Sequence, residues 1–229
     1  MVDQNKLAEE LTDHEAELYD RQLRLWGLES QKRLRAAKVL LIGLDGFGAE
    51  IAKNIILAGI NTVTFLDHRN VTELDRCSQF FIPKEDIGKN KAEASLPRAQ
   101  NLNSMVNVNA DSDKVDDKPD EYFGQFNVVC ATHCTITQLK RINRACRKQK
   151  VKFFAGDVWG ALGYVFIDLQ EHEYGESDLY AQLSPVCSIV GGVMAQEIIK
   201  AASQKHAPLN NLFTFNPVTS CGVILKLGY

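Results

Sequence analysis

The chain is short of every feature that would place it in a membrane, on nucleic acid or around a metal cluster. No apolar run approaches the length that spans a bilayer. The opening Met1-Val-Asp-Gln-Asn-Lys6 lacks the apolar centre of a secretory signal. No basic block stands out: 26 Lys and Arg nearly balance 29 Asp and Glu, for a net charge of −3. Nucleic acid and anionic membrane surfaces are therefore not expected as partners. Six cysteines stand at positions 77, 130, 134, 146, 187 and 221, and none forms Cys-x-x-Cys. A zinc site or redox pair is not expected, and the thiols fit a reducing cytosolic or nuclear setting. Internal repeats and low-complexity tracts are absent too.

What is present is a chain of 229 residues, enough for one α/β domain with a sizeable core. It is organised around residues 38–59. Val39 to Ile42 form a short apolar run bounded by glycine, which suits a strand buried on both faces. Gly43, Gly46 and Gly48 follow, then Ile51, Ile55 and Ala58 recur on one helical face. Gly59 stands where a helix C-cap glycine belongs. Strand, glycine turn and helix make the first unit of a nucleotide-binding doubly wound fold. The fingerprint Gly-x-Gly-x-x-Gly is incomplete, because Asp45 fills its middle place between Gly43 and Gly48. A carboxylate there repels a pyrophosphate, and Gly46 restores flexibility one residue late. The turn reads either as a nucleotide cradle or as a Rossmann-like turn that holds no nucleotide.

Residues 1–11 are polar and read as a mobile tail. Thr12 and Glu15 make a capping box for a helix over 15–26 that Gly27 ends, and a shorter helix spans about 29–37. Arg21 and Arg24 read here as solvated helix charges. The second strand, 62–67, closes on Asp67, 19 residues after Gly48, where nucleotide folds grip a ribose hydroxyl. Residues 69–88 are irregular. A helix over about 89–101 carries Lys89 and Lys91 at its start, against the macrodipole. Either an anion or acidic side chain lies near them, or both are surface lysines. Further strands are expected at 106–110, 126–131 and 151–155, with an antiparallel one at 163–169. Thr132 to Thr135 follow the fourth strand, at the carboxyl end where doubly wound sheets bind ligands. Helices are expected over 135–149 and 186–203. In the second, Ile189, Val193 and Ile199 are core candidates. Gly191 and Gly192 cost it about 1 kcal/mol each, which close packing against another backbone would explain. Strands at 212–215 and 222–226 finish the chain. The fold class is α/β, a Rossmann-like doubly wound, mostly parallel sheet with C-terminal antiparallel strands.

Several stretches together resemble the enzymes that activate ubiquitin-like modifiers. They are Tyr19-Asp-Arg-Gln-Leu-Arg-Leu-Trp-Gly27, the glycine loop, Gly88-Lys-Asn-Lys-Ala-Glu-Ala94, Phe154-Ala-Gly-Asp-Val-Trp-Gly160 and Pro185-Val-Cys-Ser-Ile-Val-Gly-Gly-Val-Met-Ala-Gln-Glu-Ile-Ile-Lys200. The likeness runs from Glu17 to the end and is similar to the small-subunit branch that serves SUMO. It implies a pair of Rossmann-like adenylation units. One binds ATP and Mg²⁺ and adenylates the modifier; the other is degenerate. Three departures place this chain in the degenerate half. Asp45 breaks the glycine loop. The segment Leu74-Asp-Arg-Cys-Ser-Gln79 is altered and lengthened from the family's Asn-x-Asn-Arg-Gln-like run. Near His133, where the active half has a magnesium-handling aspartate, no acid stands between Ala131 and Gln138.

The resemblance therefore implies no nucleotide and no metal in this chain, with Gly43, Asp45, Gly46, Gly48, Asp67 and Lys91 forming a degenerate loop and its surroundings. ATP and Mg²⁺ are implied for the partner, the large catalytic subunit of a heterodimer, and SUMO is met through the complex. The arginine of the Tyr-x-Arg-Gln signature, here Arg21, is implied to reach the partner's ATP, as a planar cationic donor fork suits phosphates. The thioester-forming cysteine belongs to the large subunit, so none of the six here is assigned that role. Location is implied to be nuclear, with cytoplasm also possible. Family small subunits carry a long insertion where this chain has only 170–184. The expected organisation is thus a tail over 1–11 and one pseudo-adenylation domain over 12–229 with a shortened junction, inactive alone. Two alternatives stay open. A homodimeric adenylating enzyme of the ThiF or MoeB kind needs an intact ATP site in this chain. An NAD-dependent oxidoreductase is favoured by the glycine turn and Asp67, and disfavoured by Asp45 and the lack of a Tyr-x-x-x-Lys pair.

Overall fold

Strand β1 (Lys38–Ile42) is buried at four of its five positions. Its side chains alternate between two cores. Val39 and Leu41 join Val63 and Phe65 beneath helices α3 (Gly46–Leu57) and α4 (Lys91–Gln100). Leu40 and Ile42 join Val129, Ala131 and Phe123 beneath helix α5 (Ile136–Lys148). A strand covered on both faces must be apolar throughout, which is why 39–42 reads as a continuous run. The computed structural model describes residues 12–160, 162–171, 184–204, 207, 209, 212–216 and 220–226. The tail expected over 1–11 lies outside them.

The main sheet has the order β3-β2-β1-β4-β5-β6. Its members are β2 (Thr62–Leu66), β3 (Asn107–Asp111), β4 (Val128–Thr132), β5 (Lys152–Trp159) and β6 (Leu162–Asp168). The first five strands are parallel and β6 is antiparallel. Strand order reverses between β1 and β4, the point at which doubly wound sheets open a crevice. Ile42 is level with Leu66 and with Ala131. The next residues, Gly43, Asp67 and Thr132, therefore meet at the carboxyl edge. β5 runs four residues beyond the expected end at 155, because β6 folds back along it and pairs as far as Trp159.

At the N-terminus the capping box forms as expected, with Thr12 and Glu15 bonded reciprocally. The expected single helix over 15–26 is broken at Tyr19, giving α1 (Asp13–Leu18) and α2 (Asp20–Ala36). Gly27, at φ +80° and ψ 166°, is non-helical and breaks α2 into two helical stretches, as expected of a helix that ends there and a shorter one that follows. The break follows from burial of Tyr19. A Cβ on Gly59 would stand 2.6 Å from its Cζ, and its hydroxyl accepts a hydrogen bond from Asn103 Nδ2 at 2.8 Å. Gln22 donates to the Leu57 carbonyl at 3.1 Å. The N-terminal helices are thus bolted to the end of α3.

The chain divides into two compact units, Met1–His172 and Glu173–Tyr229, and the division falls inside 170–184. The second unit contains α6 (Ser184–Ser203) and an antiparallel hairpin of β7 (Leu212–Asn216) and β8 (Cys221–Leu225). Among the described residues, no atom lies within 4 Å of a Cβ built on Gly191 or Gly192, so the structure does not supply the close backbone expected there. Ile189 and Ile199, expected in the core, are exposed; α6 is apolar around much of its circumference, and a unit of this size cannot bury every side of it. No helix among the described residues is long and apolar enough to cross a membrane.

Gly59 has φ +84° and faces the Tyr19 ring, so Gly59→Ala adds both backbone strain and overlap. It is expected to lower unfolding free energy by about 3 kcal/mol, read as a lower urea midpoint, with Tyr19→Phe costing about 1 kcal/mol.

Candidate functional site

The crevice at the β1–β4 switch is built from the glycine loop, the end of β2 and the turn after β4. Each loop glycine is required by packing. A Cβ on Gly43 would overlap Thr132, one on Gly46 would overlap Ser78, and one on Gly48 would overlap the Gly43 carbonyl. Thr132 fastens this contact by donating its hydroxyl to the Ile42 or Gly43 carbonyl, at 3.0 and 3.1 Å.

Asp45, the residue that interrupts the fingerprint, is the N-cap of α3. Its Oδ1 accepts from the Gly48 amide at 3.5 Å. A side-chain oxygen there satisfies an orphan donor of the first turn and complements the helix dipole. Its Oδ2 lies 3.0 Å from His133 Nδ1. His133 adopts a left-handed backbone, φ 51°, in the turn between β4 and α5. The negative end that sequence reading set against a pyrophosphate is thus occupied by the protein itself.

Asp67 lies where expected, at the end of β2, and is 3% exposed. Its carboxylate is fully engaged. Oδ2 accepts from the Leu44 amide at 2.8 Å and from Arg69 Nη2 at 2.6 Å. Oδ1 accepts from the Arg69 amide and Nε, both at 2.9 Å. Four donors account for the acceptor sites of a carboxylate. Burial pushes the acid's pKa up, but the Arg69 hydrogen bonds and charge, with the two backbone amides, outweigh it and hold the group below 3.8. The remaining cavity, about 180 Å³, is lined by Gly43, Asp67, Arg69, Thr132, His133 and Cys134 among others. That volume falls below the roughly 300 Å³ at which small-molecule pockets begin.

Lys91 is also withdrawn. It is buried and pairs with Asp75 at 2.5 Å, while the other oxygen of Asp75 accepts from the Thr72 amide and hydroxyl, both at 2.8 Å. This is the acidic neighbour anticipated beside the helix start. Helix α4 begins at Lys91 because Asn90 is its N-cap, accepting from the amides of Ala92 and Glu93. Lys89 stays outside the helix, paired with Asp86 on the surface.

Arg21 does not line the cavity. It sits in the first turn of α2 between the anchored Tyr19 and Gln22, and is exposed. Among the described residues nothing bonds to its guanidinium. The structure thus gathers Gly43, Asp45, Gly46, Gly48 and Asp67 around one crevice and leaves Lys91 and Arg21 apart from it. Arg69 was missed as a site residue. The available signal was a cation two positions after an acid at a strand end, close enough to close on it.

Comparison with known proteins follows this geometry. The profile of the ThiF family matches residues 19–226. SUMO-activating enzyme subunit 1 of Xenopus tropicalis is 34% identical, over 95% of this chain and 97% of that protein. Its Homo sapiens counterpart is 33% identical, over 100% of this chain and 99% of that protein. The human alignment runs over 344 positions against 229 residues here, so over a hundred positions of that relative have no counterpart in this chain. Among solved structures, Escherichia coli MccB with succinimide is 15% identical at TM-score 0.57, covering 91% of this chain and 71% of that one. The E. coli tRNA N6-threonylcarbamoyladenosine dehydratase TcdA is 19% identical at TM-score 0.57, covering 64% of this chain and 62% of that chain, under two thirds of its length. These two share the fold.

Because the folded Asp67 carboxyl lies below its ordinary value, it adds stability above pH 3.8 that is lost as pH falls through the folded value. Wild type is expected to be more stable than Asp67→Asn at pH 7. The gap in Tm should close as pH drops below about 4, followed by circular dichroism melts of both proteins across that range.

Proposed function

The chain belongs to the ThiF family, and from that premise we propose that it is the non-catalytic subunit of a heterodimeric SUMO-activating enzyme. The subunit 1 relatives, similar over nearly the whole chain, support the choice of modifier and of a partner subunit. The observation that carries the non-catalytic role is the Asp67–Arg69 pair. The acid that would hold a ribose is consumed by this chain's own arginine, in a cavity of about 180 Å³. Asp45 and His133 close the phosphate end of the same crevice. In this reading ATP and Mg²⁺ are held by the large catalytic subunit, which adenylates SUMO and carries the thioester cysteine. The complex works in the nucleus, with a cytoplasmic fraction.

The contribution of this chain to chemistry is Arg21. Tyr19 and Gln22, one on each side of it in the signature, anchor α2 to α3, and among the described residues no partner is bonded to the exposed Arg21 guanidinium. A cation presented by a rigid helix start can offset charge that develops on a triphosphate across an interface. The expected outcome for Arg21→Ala is an intact heterodimer on a sizing column and SUMO-adenylate formation slowed roughly a hundredfold. Unchanged turnover and ATP KM in that complex would remove the role. The homodimeric adenylating reading is tested on the chain alone: ATP–pyrophosphate exchange should be absent, and saturable exchange without the large subunit would establish the alternative.

A further inference from the structure

Helix α5 presents a charged surface that the proposed function leaves unused. It contains Lys140, Arg141, Arg144, Arg147 and Lys148 and no acid. Lys150 and Lys152 follow it, so seven of the 13 residues over 140–152 are cations and none is an acid. The near balance of charge over the whole chain conceals this stretch, and the reading that no basic block stands out does not hold for it.

Part of the charge is spent within the fold. Arg147 closes on Asp168 at 2.6 Å, and Lys148 stands 3.8 Å from Asp120. Arg141 donates to the Val115 and Lys118 carbonyls and lies over the Phe123 ring. Lys140, Arg144, Lys150 and Lys152 make no side-chain hydrogen bond or ion pair among the described residues, and the first three are exposed. Lys140 and Arg144 are four residues apart and share one helix face, where like charges repel. Arg147 and Lys148 lie in the last turn, where the helix dipole favours cations. Lys140 and Arg144 lie before it and gain no such compensation. Carboxylates facing the pair would relieve the repulsion.

An apolar groove runs beside this row. Alternation along the β5–β6 hairpin turns Phe153 and Trp159 of one strand, and Tyr164 and Phe166 of the other, toward α5. With Leu139 and Lys140 they line a cavity of about 560 Å³. That volume lies within the range of pockets that accept a ligand or a large side chain. Trp159 stacks on Tyr164 with ring centroids 5.5 Å apart, yet Trp159 is 63% exposed. Exposed apolar surface rimmed by charge marks an interaction site. Lys140 belongs to both features, so the cationic row and the groove form one surface.

The groove identifies the partner. A phosphate chain would engage the cations and leave the apolar walls unfilled, whereas a peptide can occupy both. The net charge of −3 also opposes a long polyanion. We propose that α5 and the groove beside the β5–β6 hairpin dock an acidic segment of a partner protein. One aromatic or large apolar side chain of that segment fills the groove, and its carboxylates pair with Lys140 and Arg144. All of these residues belong to the first unit. α5 covers the opposite face of the sheet from α3, to which the Arg21 helix is fastened, so this surface is distinct from that of Arg21. The proposal does not rest on the assignment to SUMO activation, since binding is measured on this chain alone.

The test titrates the full chain into a fluorescein-labelled peptide, a single Trp flanked by Asp and Glu, and follows fluorescence anisotropy. Saturable binding is expected, weakening as salt rises. Combining Lys140→Glu with Arg144→Glu should weaken it at least about tenfold. Trp159→Ala, or Ala in place of the peptide's Trp, should cost about tenfold, while Lys84→Glu changes nothing. The substituted residues are exposed, so the variants keep the fold, as circular dichroism would check. The peptide substitution tests the groove even if Trp159→Ala fails to fold. No saturable binding to wild type, or equal affinity in the folded double variant or for the peptide lacking Trp, overturns the proposal. So does an oligo-dT strand that binds more tightly than the peptide and loses affinity in the same double variant, which would reassign the surface to nucleic acid.

Discussion

The buried carboxylate of Asp67 is the group on which the first unit depends. It sits at the end of β2 with almost no access to water, and an unpaired charge there would be strongly destabilising. Its four donors come from the glycine loop and from Arg69. Its own carbonyl accepts from Asn90, the residue that caps α4. One charged group thereby ties the β1–α3 turn, the β2 exit and the start of α4 into a single rigid edge. The internal bonds of the chain satisfy the carboxylate in full.

The same economy governs the other cations of the region. Lys91 is folded into the interior against Asp75, where a low effective dielectric makes the pair strong but commits it. Arg69 is committed to Asp67. At the N-terminus the division runs the other way. Tyr19 and Gln22 take up the packing and hydrogen-bonding work of joining α2 to α3, and the arginine between them stays in solvent. Within one chain, Arg69 and Lys91 are committed to internal acids, while Arg21 is exposed.

The glycine loop is set by packing demands of its own. Gly43, Gly46 and Gly48 are each held by contacts with Thr132, Ser78 or the loop's own backbone, which are demands of strand–turn–helix packing. Asp45 in the middle place caps α3 and pairs with His133.

Much of the fold was legible in the sequence because its signals are local. The apolar run before Gly43, the helical spacing of Ile51 and Ile55, and Gly59 as a cap residue depend only on near neighbours, and they specify β1, α3 and its end. Antiparallel β6 was legible from the short turn at 160–163. Asp67 could be placed at a strand end for the same reason, and Asp45 could be recognised as foreign to a phosphate cradle. Sequence could not show that Arg69 turns back onto Asp67, since that depends on how the exit of β2 is held against Leu44 and Asn90. Nor could it bring His133 to Asp45. The two are far apart in the chain, and they meet because parallel pairing sets Ile42 level with Ala131. Periodicity and turn chemistry determined the elements by themselves; strand register, a property of the assembled sheet, decided which charges face one another.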